Sequence, residues 1–302
     1  MHNKRPLLLV VSALFLTAIA CSTRTPAPAT STPPAPTPAE ATVTASPTPE
    51  PTPTASPEPP PYQYSVVLVP EGSSLAAYSA PGTASPSVGS IPAGDAGLIP
   101  TGRVSTIGPE TWVEIVLPGG GTGWVDRFNL TESTGSAEFC GDARMPALFT
   151  GFQAALNNND GRLLTPIVSP VHGLTVEYIH GGTPRVYPAA EAGSVFGRME
   201  IVDWGPGTSS GLPVEGSFAE MVRPDLLTVF GAAYETHCRE ITLGGASYSP
   251  SWPFIWQNIN YISVYKPGSS DQELDWMTWV VGIEYVDSAP YLFSLTRYNW
   301  EP

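Results

Sequence analysis

The sequence predicts a multidomain chain: a disordered Pro/Thr-rich tether, a small all-β barrel, and then an α+β domain with an antiparallel sheet. Three observations carry this. Residues 22–61 are almost all Pro, Thr, Ser, Ala and Glu, with nothing to bury. Residues 62–133 show short β-type runs broken by Gly and Pro. Residues 137–302 open with helical spacing and close with long alternating runs.

The chain begins with a basic start at Lys4 and Arg5, followed by an apolar run from Leu7 to Ala20. That order, with small residues before Cys21, predicts a secretory signal peptide over residues 1–20, too short for an ordinary spanning helix. Ala18-Ile19-Ala20-Cys21 resembles the lipobox of bacterial lipoproteins, with Ala18 where Leu is usual. The resemblance implies lipidation at Cys21 and an extracytoplasmic, lipid-anchored location at the cell surface. Residues 21–61 then form the tether, whose backbone entropy no burial can offset. Its prolines favour extended polyproline II, a spacer of at most ~120 Å at ~3.1 Å per residue.

The 302 residues carry 13 basic and 27 acidic side chains, a formal charge of −14. After the signal peptide the only lysine is Lys266, and the arginines are scattered. No basic stripe exists to neutralise phosphates, so nucleic-acid binding is excluded as a function class. Membrane attachment must come from the lipid rather than from charge. Beyond Cys21 only Cys140 and Cys238 remain, an even number in an exported chain, which predicts a disulfide between them. Neither sits in a C-x-x-C spacing, which argues against a redox or metal pair.

The first folded region reads as strands at Tyr64–Val69, Leu75–Tyr78, Val88–Gly94, Trp112–Leu117 and Thr122–Val125. Pro-Gly and Gly-rich turns separate them. LAAYSAPGTASPSVGSIPAG and WVEIVLPGGGTGWV resemble the paired motifs of the bacterial SH3-like (SH3b) family, over about Tyr62 to Glu132. Tyr78 stands where that family commonly has arginine. The resemblance implies an SH3-like barrel that binds peptide or protein.

Beyond a short link at Ser133–Ala137, Leu148, Phe149, Phe152, Ala155 and Leu156 fall on one helical face. The run Asn157–Gly161 ends that helix. A second short helix is expected at Leu163–Ile167, strands at Leu174–Ile179 and Met199–Val202, and helix at Ser217–Val222 and Leu226–Tyr234. Asn260–Tyr265, Trp276–Tyr285 and Tyr291–Tyr298 predict a closing meander with a turn at Asp287-Ser288. DWGPGTSSGLPVEGSFAEMV and KPGSSDQELDWMTWVVGIEYV resemble uncharacterised domains of secreted bacterial lipoproteins. The helix-then-sheet pattern also resembles the NTF2-like fold.

Catalytic signatures are lacking in the sequence: there is no G-x-S-x-G elbow, P-loop or GxGxxG. His172, Glu177 and His180 form the densest set of ligand-type residues, but a strand through Leu174–Ile179 turns Glu177 away from both histidines. Asp271, Glu273 and Asp275 alternate like a calcium loop without its glycine and closing glutamate, which reads as a solvated turn. Trp252, Phe254, Trp256 and Tyr261, and separately Trp276 and Trp279, are either a stacking surface or core. Tyr62, Tyr64, Tyr78 and Trp124 are the candidate ligand-binding residues. The expectation is a noncatalytic protein, without cofactor or metal, that binds peptidoglycan peptide or an envelope protein. The competing expectation is an enzyme or small-molecule binder in the C-terminal domain, targeted by the barrel; it needs polar groups converging in a pocket.

Overall fold

In the computed structural model, residues 62–132 form eight short strands. These are β1 (Tyr64–Val66), β2 (Ser74–Tyr78), β3 (Ser87–Pro92), β4 (Ala96–Leu98), β5 (Pro100–Ile107), β6 (Glu110–Val116), β7 (Thr122–Asp126) and β8 (Leu130–Glu132). The structure describes residues 60–300 apart from 246–247 and 270–272. The predicted signal peptide, Cys21 and all but the last residues of the tether lie outside the described residues. The described regions belong to one compact unit.

Two antiparallel sheets, β3-β2-β7-β6-β5 and β4-β1-β8, enclose a core of Val66, Ala77, Ile91, Ile115, Val125 and Leu130. The alternation in β6 sends Val113 and Ile115 into that core. Strands β4, β5 and β8 escaped the sequence reading. The longest, β5, contains Pro and Gly and leaves Val104 and Ile107 exposed, so it shows no apolar period. The expected first strand stops at Val66, because Leu68 takes a left-handed φ of 59°.

Beyond residue 132, the described residues form five α-helices: α1 (Ser136–Cys140), α2 (Met145–Asn158), α3 (Gly161–Leu164), α4 (Ala189–Ala192) and α5 (Arg223–Phe230). Its strands are β9 (Leu174–Glu177), β10 (Arg185–Tyr187), β11 (Val202–Pro206), β12 (Pro213–Gly216), β13 (Glu235–Cys238), β14 (Asn260–Lys266), β15 (Met277–Val286) and β16 (Ala289–Asn299). The expected α+β class holds. Helix α2 starts with Pro146 in its first turn and ends where Asn159 adopts φ 52°. Its Phe149 and Phe152 pack with Phe230 of α5 against Trp279, Val281, Ile283 and Leu295 of the sheet.

Several elements differ from expectation. The main sheet, β10-β9-β16-β15-β14-β13, is antiparallel except that β9 runs parallel to β16. The strand expected at Met199–Val202 lies at Val202–Pro206, where Trp204 is buried; Met199 and Ile201 are exposed. Ser217 caps a π-helical turn over Phe218–Val222 that runs into α5, which stops at Gly231 rather than Tyr234. The largest difference is two-sided burial of the meander. Thr278, Glu284, Ser294 and Thr296 are each at most 1 % exposed, although alternation suggested a solvated face. The segment carrying Ile241, Leu243, Tyr248 and Trp252 covers part of that face. Gly282 is required there, because a Cβ would lie 2.3 Å from the Ser294 hydroxyl.

Cys140 at the end of α1 is bonded to Cys238 at the end of edge strand β13, with Cα atoms 5.8 Å apart. The bridge closes a separation of 98 residues. On the chain-entropy model a loop of that size stabilises by about 4–5 kcal/mol. Replacing both cysteines by serine should lower the unfolding free energy in urea by about that amount. An unchanged transition midpoint would refute this.

Candidate functional site

The two regions meet along a buried seam. Val67 of the N-terminal region packs with Trp256, Ile259 and Phe293, flanked by Leu68 and Trp252. The Leu68 amide donates to the Ile255 carbonyl at 2.8 Å. Asn258 Nδ2 donates to the carbonyls of Val66 at 2.9 Å and Gly94 at 3.0 Å. Gly94 has φ +74°, and a Cβ there would collide with the Gln257 side chain.

His172 joins both regions. Its Nε2 donates to the Phe128 carbonyl at 2.8 Å. Its Nδ1 donates to the Glu284 carboxylate, at 2.8 and 2.9 Å from the two oxygens. His172 is 4 % exposed and Glu284 1 %. The Ser169 hydroxyl accepts the His172 backbone amide at 2.9 Å, fixing the turn that carries the ring. Glu132 makes the third link, accepting from the Asp287 and Ser288 amides at 2.5 and 2.8 Å. Those residues form the β15–β16 turn, with φ of 50° and 62°, the left-handed pair a tight hairpin needs. Burial pushes the Glu132 carboxyl up, against the lowering effect of these two donors.

A cleft of about 520 Å³ opens over this seam. Tyr62, Tyr64, Arg127 and Phe128 line it on the N-terminal side, and Pro170, Val171 and Asp287 across from them. Tyr62 and Tyr64 meet edge to face at 5.4 Å. Burial, then a contact with Tyr64, pushes the Tyr62 hydroxyl above the usual tyrosine range. Arg127 and Phe128 belong to a short 3-10 turn, Arg127–Asn129, whose Phe128 amide donates to the Asp126 side chain. Sequence reasoning missed both residues; exposed Phe128 stood in no periodic pattern.

The four candidate residues do not converge. Tyr62 and Tyr64 line the cleft, though Tyr64 is only 4 % exposed. Trp124, 6 % exposed, borders a shallower groove under Arg103, whose guanidinium lies 5.3 Å from its ring centre. Tyr78 packs edge to face on Trp112 at 5.7 Å.

His172, Glu177 and His180 do not form one ligand set: His172 is engaged by Glu284 and Phe128, whereas the His180 charge acts on the Glu177 carboxyl. Glu177 accepts the Gly181 amide at 2.8 Å, and burial pushes its carboxyl up. His180 stacks on Tyr248 at 5.0 Å. None of the three lines the junction cleft. Asp275 accepts the Ser269 amide at 2.6 Å and anchors the β14–β15 connection, while Asp271 lies outside the described residues. Among the described residues no group of His, Cys, Asp or Glu is placed to hold a metal ion. No helix among them is long and apolar enough to cross a membrane. Trp252 and Trp256 pack together in the seam, and Trp276 and Trp279 fill opposite faces of the sheet.

Fold and site together define an α+β protein, mostly β, with a ligand-sized cleft between its two regions. No protein-family model, curated protein or solved structure matches the chain.

Two outcomes follow from the seam. His172→Leu strands the Glu284 carboxylate in the interior and should cost about 3–5 kcal/mol in urea unfolding. Adding Glu284→Leu should recover part of that loss, whereas strictly additive costs would show that the pair is not coupled. The second concerns Asp142, which accepts from Arg144 and from the Tyr285 hydroxyl at 2.7 Å. The Arg144 guanidinium holds the Asp142 carboxyl well below the usual range. A depressed native pKa adds stability above the unfolded value of about 3.9, and that stability is lost as pH falls toward the native value. Thermal melts below about pH 4 should therefore show a steeper loss in the wild type than in Asp142→Asn.

Proposed function

We propose that this protein is a noncatalytic, lipid-anchored lipoprotein of the bacterial cell surface that binds a cell-wall peptide through its N-terminal, SH3b-like region. The observation that carries the reading is the junction cleft, with Tyr62, Tyr64 and Phe128 on the N-terminal side. Its volume is within the ~300–1,000 Å³ range of ligand sites, and aromatic walls suit peptide contacts. Supporting the SH3b kinship, the two motif stretches fall on β2, β3, β6 and β7, neighbours in one sheet. The NTF2-like kinship of the C-terminal region belongs to the same proposal, resting on α2 packed against the meander.

Sedimentation of the full chain with purified peptidoglycan tests this. The wild type should pellet with the wall, and Tyr62→Ala/Phe128→Ala should weaken retention about tenfold, as loss of aromatic anchors does. Failure of the wild type to pellet would overturn the proposal.

A further inference from the structure

Opposite charges line the junction cleft, and only one of them is deeply buried. Arg127 is 7 % exposed. Its Nη1 donates to the Leu130 carbonyl at 2.5 Å, and its guanidinium lies 4.9 Å from the centre of the Tyr64 ring. Its Nη2 is buried and meets no acceptor among the described residues. Arg127 forms no ion pair there either: Glu132, whose carboxyl the Arg127 charge lowers, is occupied by the Asp287 and Ser288 amides. A buried guanidinium with an unmet donor is costly unless an oxygen acceptor is supplied.

The same cleft carries Glu110, Asp126 and Asp287. Asp126 caps the Phe128 amide. Glu110 and Asp287 are exposed; Glu110 accepts from Trp112 Nε1 at 3.2 Å and Asp287 from the Tyr62 hydroxyl at 3.4 Å, which leaves each carboxylate an oxygen to offer, and Phe128 lines the same cleft. Carboxylates next to aromatic faces favour a cation, and a guanidinium favours a carboxylate. A ligand group that satisfies both carries the two charges close together.

We propose that the cleft takes an α-amino-acid head group, a carboxylate and an ammonium on one carbon. Arg127 receives the carboxylate, and Glu110, Asp287 and the faces of Tyr62 and Phe128 receive the ammonium. The proposal rests on the wall-peptide reading above and names the part of the peptide that is held: a free side-chain amino-acid end, such as diaminopimelate presents. A volume of about 520 Å³ holds that end together with part of its peptide.

Calorimetric titration of the full chain tests it with L-Ala-γ-D-Glu-meso-diaminopimelate and two blocked forms, one with the side-chain carboxyl amidated and one with the side-chain amine acetylated. Free meso-diaminopimelic acid is a fourth probe and separates a free amino acid from a peptide as the source of the group. The unblocked tripeptide should bind at least about tenfold more tightly than either blocked form, as expected for one charge-assisted contact. Arg127→Gln should abolish the discrimination against the amide, and Glu110→Gln should narrow that against the acetyl form. The blocks are on the ligand, so the main comparison uses wild-type protein and does not depend on how Arg127→Gln folds. Equal affinities for free and blocked tripeptides, or no binding of any probe, overturns the head-group assignment. Wall sedimentation then separates the two readings: retention without discrimination leaves wall binding standing, and loss of both removes it as well.

Discussion

The seam between the two regions depends on His172, held between the Phe128 carbonyl and the Glu284 carboxylate. A carboxylate that is 1 % exposed on a central strand is tolerable only with a donor beside it. His172 provides that donor on one ring nitrogen and reaches the N-terminal region with the other. The contact therefore couples the register of β15 to the position of the 3-10 turn at Arg127–Asn129. That turn in turn supplies the floor of the cleft.

The seam also explains how the aromatic residues are divided. Trp252 and Trp256 serve as internal packing, with Trp252 Nε1 donating to the Trp256 carbonyl at 2.7 Å. Trp276 and Trp279 fill the two sides of one sheet. Phe128 is left 48 % exposed at the cleft, beside half-buried Tyr62. Arg127 shares this cleft with Glu110, Asp126 and Asp287, so both signs of charge border one opening.

Helix α2 and the meander were legible because their signals are local. Leu148, Phe152 and Leu156 repeat at helical spacing, and Asp287-Ser288 mark the turn between two apolar runs. Strand β5 was not legible, since an exposed edge strand needs no apolar face. Half of the candidate site was visible in Tyr62 and Tyr64. Trp124 and Tyr78 looked equivalent to them, yet they pack elsewhere, because strand pairing and not residue type decides which ring meets an opening. Arg127 and Phe128 carried no signal, since their role comes from a turn facing another region.

The sequence by itself determined the α+β class, the long helix, the closing meander and the Cys140–Cys238 pairing, all of which follow from periodicity, turn chemistry or counting. Tertiary structure alone decided that the polar face of the meander is buried, that β9 joins β16 in parallel, and that a cleft lies over the seam. The physical reason is range. Periodicity reports which side of an element avoids water, whereas His172, at sequence distances of 44 from Phe128 and 112 from Glu284, acquires its role only when three distant segments are brought together.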